Sequence, residues 1–294
     1  MTTGERRGPC HDQVGGGFGE FLRGLLAGIP WSERAQSEET VRLAAPRSGL
    51  LRVDNSNGRT RVIGEDRSDV EVRLQKVARA ESESAAQGLA DSMRLAASET
   101  EAGLDVEIEM PRRWNRRGHV NIELRVPRGL RVEVMSSNGK VGVEGLRAGL
   151  RVRSSNGAVG VQDVEGDVEV QSSNARICCS ACKGRLLARS SNGKIEVAEH
   201  RGSIDAATSN GLIHAALTEV RGPVVLATSN GRISLELPET ADADVDARVD
   251  NGVIRNQRSL DHCSHSSGGR LAGVIGRGGI PIKLRTSNGS ISLR

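Results

Sequence analysis

Residues 151–168 read RVRSSNGAVGVQDVEGDV, and this stretch decides the architecture. Val152 and Ser154 alternate with Arg151, Arg153 and Ser155, the period-2 pattern of a strand with one buried face. Asn156-Gly157 supplies two residues that tolerate positive φ and so turn the chain sharply. Val159 and Val161 then alternate with Ala158, Gly160 and Gln162 as a second strand. Glu165-Gly166-Asp167 makes a second corner, and Val168 begins the pattern again. The unit recurs. Asn138, Asn156, Asn174, Asn192 and Asn210 stand 18 residues apart, followed more loosely by Asn230, Asn251 and Asn288, with an outlying copy at Asn57. Self-similarity at a fixed period of about 20 residues marks a solenoid, in which each repeat is one rung.

Stacking the rungs gives aliphatic columns. Val134, Val152, Val170, Ala188 and Ala206 fall in one, and Leu150, Val168, Leu186 and Ile204 in another. A third holds Val141, Val159, Ile177, Ile195 and Ile213, continued by Ile233 and Ile254. The neighbouring positions are mixed and polar. The expected fold is all-β: a flattened parallel β-helix with rungs about 4.8 Å apart and corner asparagines bonded along the axis. A left-handed hexapeptide helix requires an aliphatic residue every six positions, but six beyond Val159 stands Glu165. The calcium-binding nonapeptide motif is absent.

Around the array the pattern changes. Residues 1–40 read as an N-terminal arm and 41–294 as the solenoid. The solenoid divides into an insertion (68–127), regular rungs (128–254), a loop (255–270) and closing rungs (271–294). Within the insertion, 69–77, 104–110 and 119–126 alternate as strands, and 81–97 is rich enough in Ala, Ser and Glu to predict a helix.

Composition agrees with a thin core. The 294 residues include two Trp, two Phe and no Tyr, too few aromatics for a wide interior but enough for stacked Val, Ile and Leu. A balance of 41 Lys+Arg against 37 Asp+Glu argues against nucleic acid as a partner on net charge. Five cysteines in a long chain are no disulfide framework. No stretch reads as a signal peptide or a membrane span, so a cytoplasmic or membrane-peripheral location is expected.

The strand–helix–strand–strand lead-in, the Val126-Pro127-Arg128-Gly129 start of the array, the repeated Ser-Asn-Gly corners and the closing GGIPIKLRTSNGSI carry a resemblance. Over residues 40 to 294 the chain resembles the bacterial β-strand-repeat family of "putative adhesins", a domain of unknown function with LiaG-like members near envelope-stress systems. The resemblance implies the solenoid fold, and its adhesin label implies export.

Candidate functional residues fall in several places. Arg112, Arg113, Trp114, Arg116 and Arg117 form a hairpin tip whose guanidiniums and indole suit an anionic partner, such as an anionic membrane surface. Phe18, Phe21, Leu22, Leu25, Leu26 and Ile29 make one stripe of an amphipathic helix, followed by Trp31. That helix either caps the solenoid or lies on a membrane or partner. Cys178-Cys179-Ser180-Ala181-Cys182 has redox or metal-site spacing. The rung alignment instead places Cys179 and Cys182 in core columns and leaves only Cys178 outward, as a reactive thiol. Asp261-His262-Cys263-Ser264-His265, with Cys10-His11, gathers ligand-type residues in the predicted loop. The Gly273 to Gly279 run fits a turn and lacks the phosphate-loop Lys-Ser/Thr.

No pair of carboxylates recurs on one outward face as a polysaccharide-cleaving β-helix requires. The function expected is therefore a non-catalytic binding or scaffold protein, with no cofactor and no metal, engaging an unknown protein or envelope component. A self-assembling structural element is the alternative; a metal-dependent hydrolase ranks third. The chain stops within the strand Ser290–Arg294, so an uncapped final rung and a homodimer through it are expected.

Overall fold

The structure is a computed structural model describing residues 33–111, 117–266 and 269–294. Its elements begin with β1 (Glu33–Ala44), β2 (Leu50–Asn57), β3 (Thr60–Glu65), β4 (Asp69–Ala80), α1 (Glu83–Asp91), β5 (Arg94–Thr100), β6 (Gly103–Glu109) and β7 (Gly118–Pro127). The array follows as β8 (Arg131–Asn138), β9 (Val141–Glu144), β10 (Leu150–Ser154), β11 (Val159–Gln162), β12 (Val168–Ser172), β13 (Ile177–Ser180) and β14 (Lys183–Ser190). Longer strands close the chain: β15 (Ile195–Asn210), β16 (Ile213–Glu236), β17 (Ala243–Asn256), β18 (Asp261–Ser266), β19 (Arg270–Ile275) and β20 (Pro281–Leu293).

The strands form two parallel ladders joined at the corners. One runs β2, β8, β10, β12, β14 and the second half of β15. The other runs β3, β9, β11, β13 and the first half of β15. The register is the one the repeat predicts: Val134, Val152, Val170, Ala188 and Ala206 are direct neighbours, as are Val141, Val159, Ile177, Ile195 and Ile213. These columns are buried and make one continuous core. A slip of one residue in any rung would turn its whole apolar set outward, so the alternation pins the register. The sheet stays open rather than closing into a barrel.

The corner asparagines make an unbroken amide ladder. Each Nδ2 donates to the Oδ1 of the rung before, at 3.1 Å for Asn156 to Asn138 and 2.9 Å for Asn230 to Asn210. Asn174, Asn192 and Asn210 bond in the same way. Beside all of these but Asn174, where Ala175 follows, stands a glycine hemmed in by the rung below: a Cβ on Gly157 would strike the Gly139 carbonyl. Asn57 departs from this pattern; its Nδ2 donates to the Gly118 carbonyl at 2.8 Å, because the insertion covers the first rung.

Four expectations are corrected by the topology. First, the helix is shorter than 81–97. Ser82 caps its start by accepting from the Ala85 N–H, and after Asp91 the chain becomes β5, held antiparallel on β6 by tertiary pairing that overrides local propensity. Second, the stretch 255–270 is not a plain loop, since β18 and β19 form an antiparallel hairpin on β17. Third, the closing rungs do not fill 271–294, because β19 belongs to that hairpin. Fourth, the last strand does not end the stack. β20 lies between β16 and β17, paired in parallel on both sides, and Ile291 and Leu293 are fully buried. Ser290–Arg294 is therefore not the unpaired terminal rung behind the expected homodimer. The predicted amphipathic helix over Phe18 to Trp31 lies outside the described residues.

Candidate functional site

Outward positions of the second ladder build a shallow depression of about 420 Å³. Its floor is Gly142 and Gly160, neighbours in adjacent rungs on β9 and β11. In the same outward column, Arg61 closes one end and Cys178 the other. Along the side nearer the asparagine corner stand Arg59, Lys140 and Arg176, while Glu144 lies opposite. Among the described residues, four cations and one carboxylate thus line it.

Their commitments differ. Arg61 donates to Glu144 at 2.8 Å and approaches Glu123 at 3.6 Å. Arg176 pairs with Glu196, which is buried between Arg176 and Lys194 at the next rung. Among the described residues, neither Arg59 nor Lys140 has a carboxylate partner. Elsewhere on the outer surface lateral pairs link neighbouring rungs, such as Arg151–Glu169 at 2.9 Å and Lys183–Glu165 at 2.7 Å.

The cysteines behave largely as column mates. Cys179 stands between Val161 and Val197, and both Cys179 and Cys182 are free and buried. Burial pushes the Cys179 thiol well up and that of Cys182 to about 11, so neither is a nucleophile near neutrality. Cys178 faces outward as the alignment predicts, yet it is disulfide-bonded and not the reactive thiol expected. Among the described residues no three His, Cys, Asp or Glu side chains are grouped to hold a metal.

Asp261, His262 and Cys263 lie on the exposed hairpin strand β18. The glycine run begins in β19, which holds Gly273, and ends in a turn: Gly276, Gly278 and Gly279 have positive φ, and Asp242 and Asp244 accept from the Arg277 and Gly279 N–H groups at 2.8 and 3.0 Å. Of the expected hairpin tip only Arg117 is described, its carbonyl accepting from the Arg79 N–H at 2.8 Å. Arg112, Arg113, Trp114 and Arg116 lie outside the described residues, as do Phe18, Phe21, Leu22, Leu25, Leu26, Ile29 and Trp31. Among the described residues no helix is long and apolar enough to cross a membrane.

Two features escaped the sequence reading. One is the glycine floor, whose signal is the mid-strand alignment of Gly142 with Gly160. The other is His200, which takes the column position of Leu146, Val164 and Cys182 and is buried. Its Nε2 lies 3.1 Å from the Ser203 carbonyl, while Nδ1 has no partner. Burial holds this imidazole below its ordinary pKa.

A family model described as Toastrack DUF4097 matches residues 50–294. Among solved structures, a "putative adhesin" from Parabacteroides merdae is similar at 12% identity and TM-score 0.52, over 90% of this chain and 97% of that one. A second "putative adhesin", from Bacteroides fragilis, shares 13% identity over 91% of this chain and 100% of its own, with TM-score 0.42. No curated protein matches the chain.

Proposed function

Because the chain belongs to the Toastrack DUF4097 family, we propose that it is a non-catalytic solenoid presenting a binding or scaffold surface at the periphery of the cell envelope. The observation that carries this reading is the depression on the second ladder, where cations outnumber carboxylates among the described residues. A rigid stack of rungs holds such a surface without a moving part, which suits docking. The "putative adhesin" description of the Parabacteroides merdae protein points the same way. Sedimentation of the full chain with isolated envelope fragments, with nucleic acid and alone tests the reading. Pelleting with envelope fragments is expected. A protein that stays in the supernatant in all three tubes ends the envelope assignment, and turnover of a substrate ends the non-catalytic one.

Self-assembly is the second reading, and a specific edge favours it. The second ladder finishes at Asn251–Asn256 of β17, and Val253 there is 56% exposed. Such an edge is a template for another strand. The β18–β19 hairpin rises two strands above the first ladder only, so this end is stepped and coaxial stacking of flat ends is obstructed. Pelleting of the protein alone would promote this reading.

A further inference from the structure

Nothing in the backbone requires glycine at 142 or 160. A Cβ at Gly142 would meet no atom within 4 Å, and one at Gly160 would meet only the Val141 carbonyl oxygen, at 4.0 Å. Neither residue has a positive φ. The corner glycines contrast sharply, since a Cβ on Gly139, Gly157, Gly211 or Gly231 would run into backbone of the rung below. Glycine inside a strand costs stability through lost packing and greater unfolded-state freedom. Two such residues side by side in adjacent rungs therefore weaken the ladder without serving its geometry. A bare strand surface of this kind does serve close approach by a ligand.

The surroundings select the ligand's charge. Arg59 and Lys140 stand at neighbouring rungs on one side of the floor, and their charges are not matched by carboxylates among the described residues. Arg61 closes one end with its guanidinium shared between Glu144 and Glu123. Guanidinium and ammonium groups converging on a flat floor are the donor set for phosphate oxygens. A space of about 420 Å³ exceeds what a lone inorganic anion fills and lies within the range of small-molecule sites.

We propose that the depression floored by Gly142 and Gly160 is an anion site for an elongated phosphate-bearing ligand lying along the solenoid axis, gripped by Arg59, Arg61 and Lys140. This deepens the binding-surface reading and rests on it. The phosphate could belong to a soluble molecule or to a lipid headgroup; the chemistry of recognition is the same.

Calorimetric titration of the full chain with sodium tripolyphosphate, with inorganic phosphate as the shorter comparison, reads the site directly. Vesicles of phosphatidylcholine with and without phosphatidic acid form the second arm. Gly160→Val fills the floor without backbone strain, and Arg59→Ala with Lys140→Ala removes the unmatched cations. Arg153→Ala, on the other ladder, is the control. Each groove variant should weaken binding by about tenfold or more, the worth of one charge-assisted contact, while Arg153→Ala stays within about twofold. Melting curves confirm that the variants fold. Tripolyphosphate binding assigns the phosphate to a soluble ligand; vesicle binding that needs phosphatidic acid and falls with Gly160→Val assigns it to a lipid. Either result supports the site. Binding indifferent to both groove variants overturns it, as does the lack of saturable binding to either probe. Pelleting with envelope fragments that survives both groove variants would leave the broader function standing while removing this site.

Discussion

The side-chain amide of Asn288 donates to Oδ1 of Asn230 at 2.9 Å, although 58 residues separate them. Asn251 then donates to Asn288 at 3.0 Å. The order of rungs in space is therefore 230, 288, 251, and the chain's last strand is an interior plank. Inserting β20 between β16 and β17 satisfies its N–H and C=O groups on both sides, which a terminal position would not. It also places Ile291 directly between Ile233 and Ile254 in the core column.

Ile291→Lys should accordingly act on stability and not on assembly. The substitution buries an ammonium with no carboxylate partner inside the stack. A cost of about 3–5 kcal/mol is expected from lost burial and desolvation. Denaturant titration with light scattering on the same samples checks it. A large mass change with an unchanged midpoint would mean that the strand is a free edge after all.

Val161→Asp and Arg153→Asp separate the two faces of a rung. Val161 is buried between Val143 and Cys179, whereas Arg153 points outward from β10. The first should cost about 3–5 kcal/mol and the second stay within about 0.5 kcal/mol. Comparable losses in the two variants, measured by denaturant midpoint, would refute the register.

Much of the fold was legible because the repeat states the same information many times. The columns through Val152 and Val159, the corners at Asn156-Gly157 and the burial of Cys179 all follow from one 18-residue unit. What escaped were relations that the unit does not encode. Strand order among the loosened rungs depends on which edge β20 meets, and neither its alternation nor its Ser-Asn-Gly corner distinguishes the two placements. The fate of 92–100 depended on pairing with β6, which outweighs a helix-prone composition. The candidate site was half visible. Gly142 and Gly160 align in plain sight, but only coordinates show that a Cβ there would touch almost nothing.

Cys179 and Cys182 should resist a thiol reagent in the native protein and react on unfolding. Both are buried, and protonated thiols react slowly even where reagent can reach them. Replacing both by Val restores the residue type of their column neighbours Val161, Val197 and Val164. Stability should change by less than about 1.5 kcal/mol, as for volume-conserving core exchanges. Loss of a bound metal on making this double variant, read by elemental analysis, would defeat the packing account.

His200 should make stability depend on pH just below neutrality. Its folded pKa is depressed by burial below the ordinary value of 6.5, so as pH falls the unfolded chain binds the proton first. The stability tied to a neutral His200 is complete above about pH 6.5 and is lost as pH falls through the depressed folded value. Cys182, the column neighbour, keeps its proton throughout this range, since its thiol is pushed to about 11. The ion-paired carboxylates Glu71, Asp242 and Asp246 are all held low and release their contributions only at more acid pH. His119 is also depressed, so the comparison needs a variant and not pH alone. His200→Leu restores the residue of the equivalent position at Leu146 and leaves His119 in place. Denaturant midpoints of the two proteins should draw apart as pH is lowered from about 7.5 to about 5, with the wild type losing more. Parallel curves across that range would show that His200 is already protonated in the fold, or reaches water that the buried corner excludes.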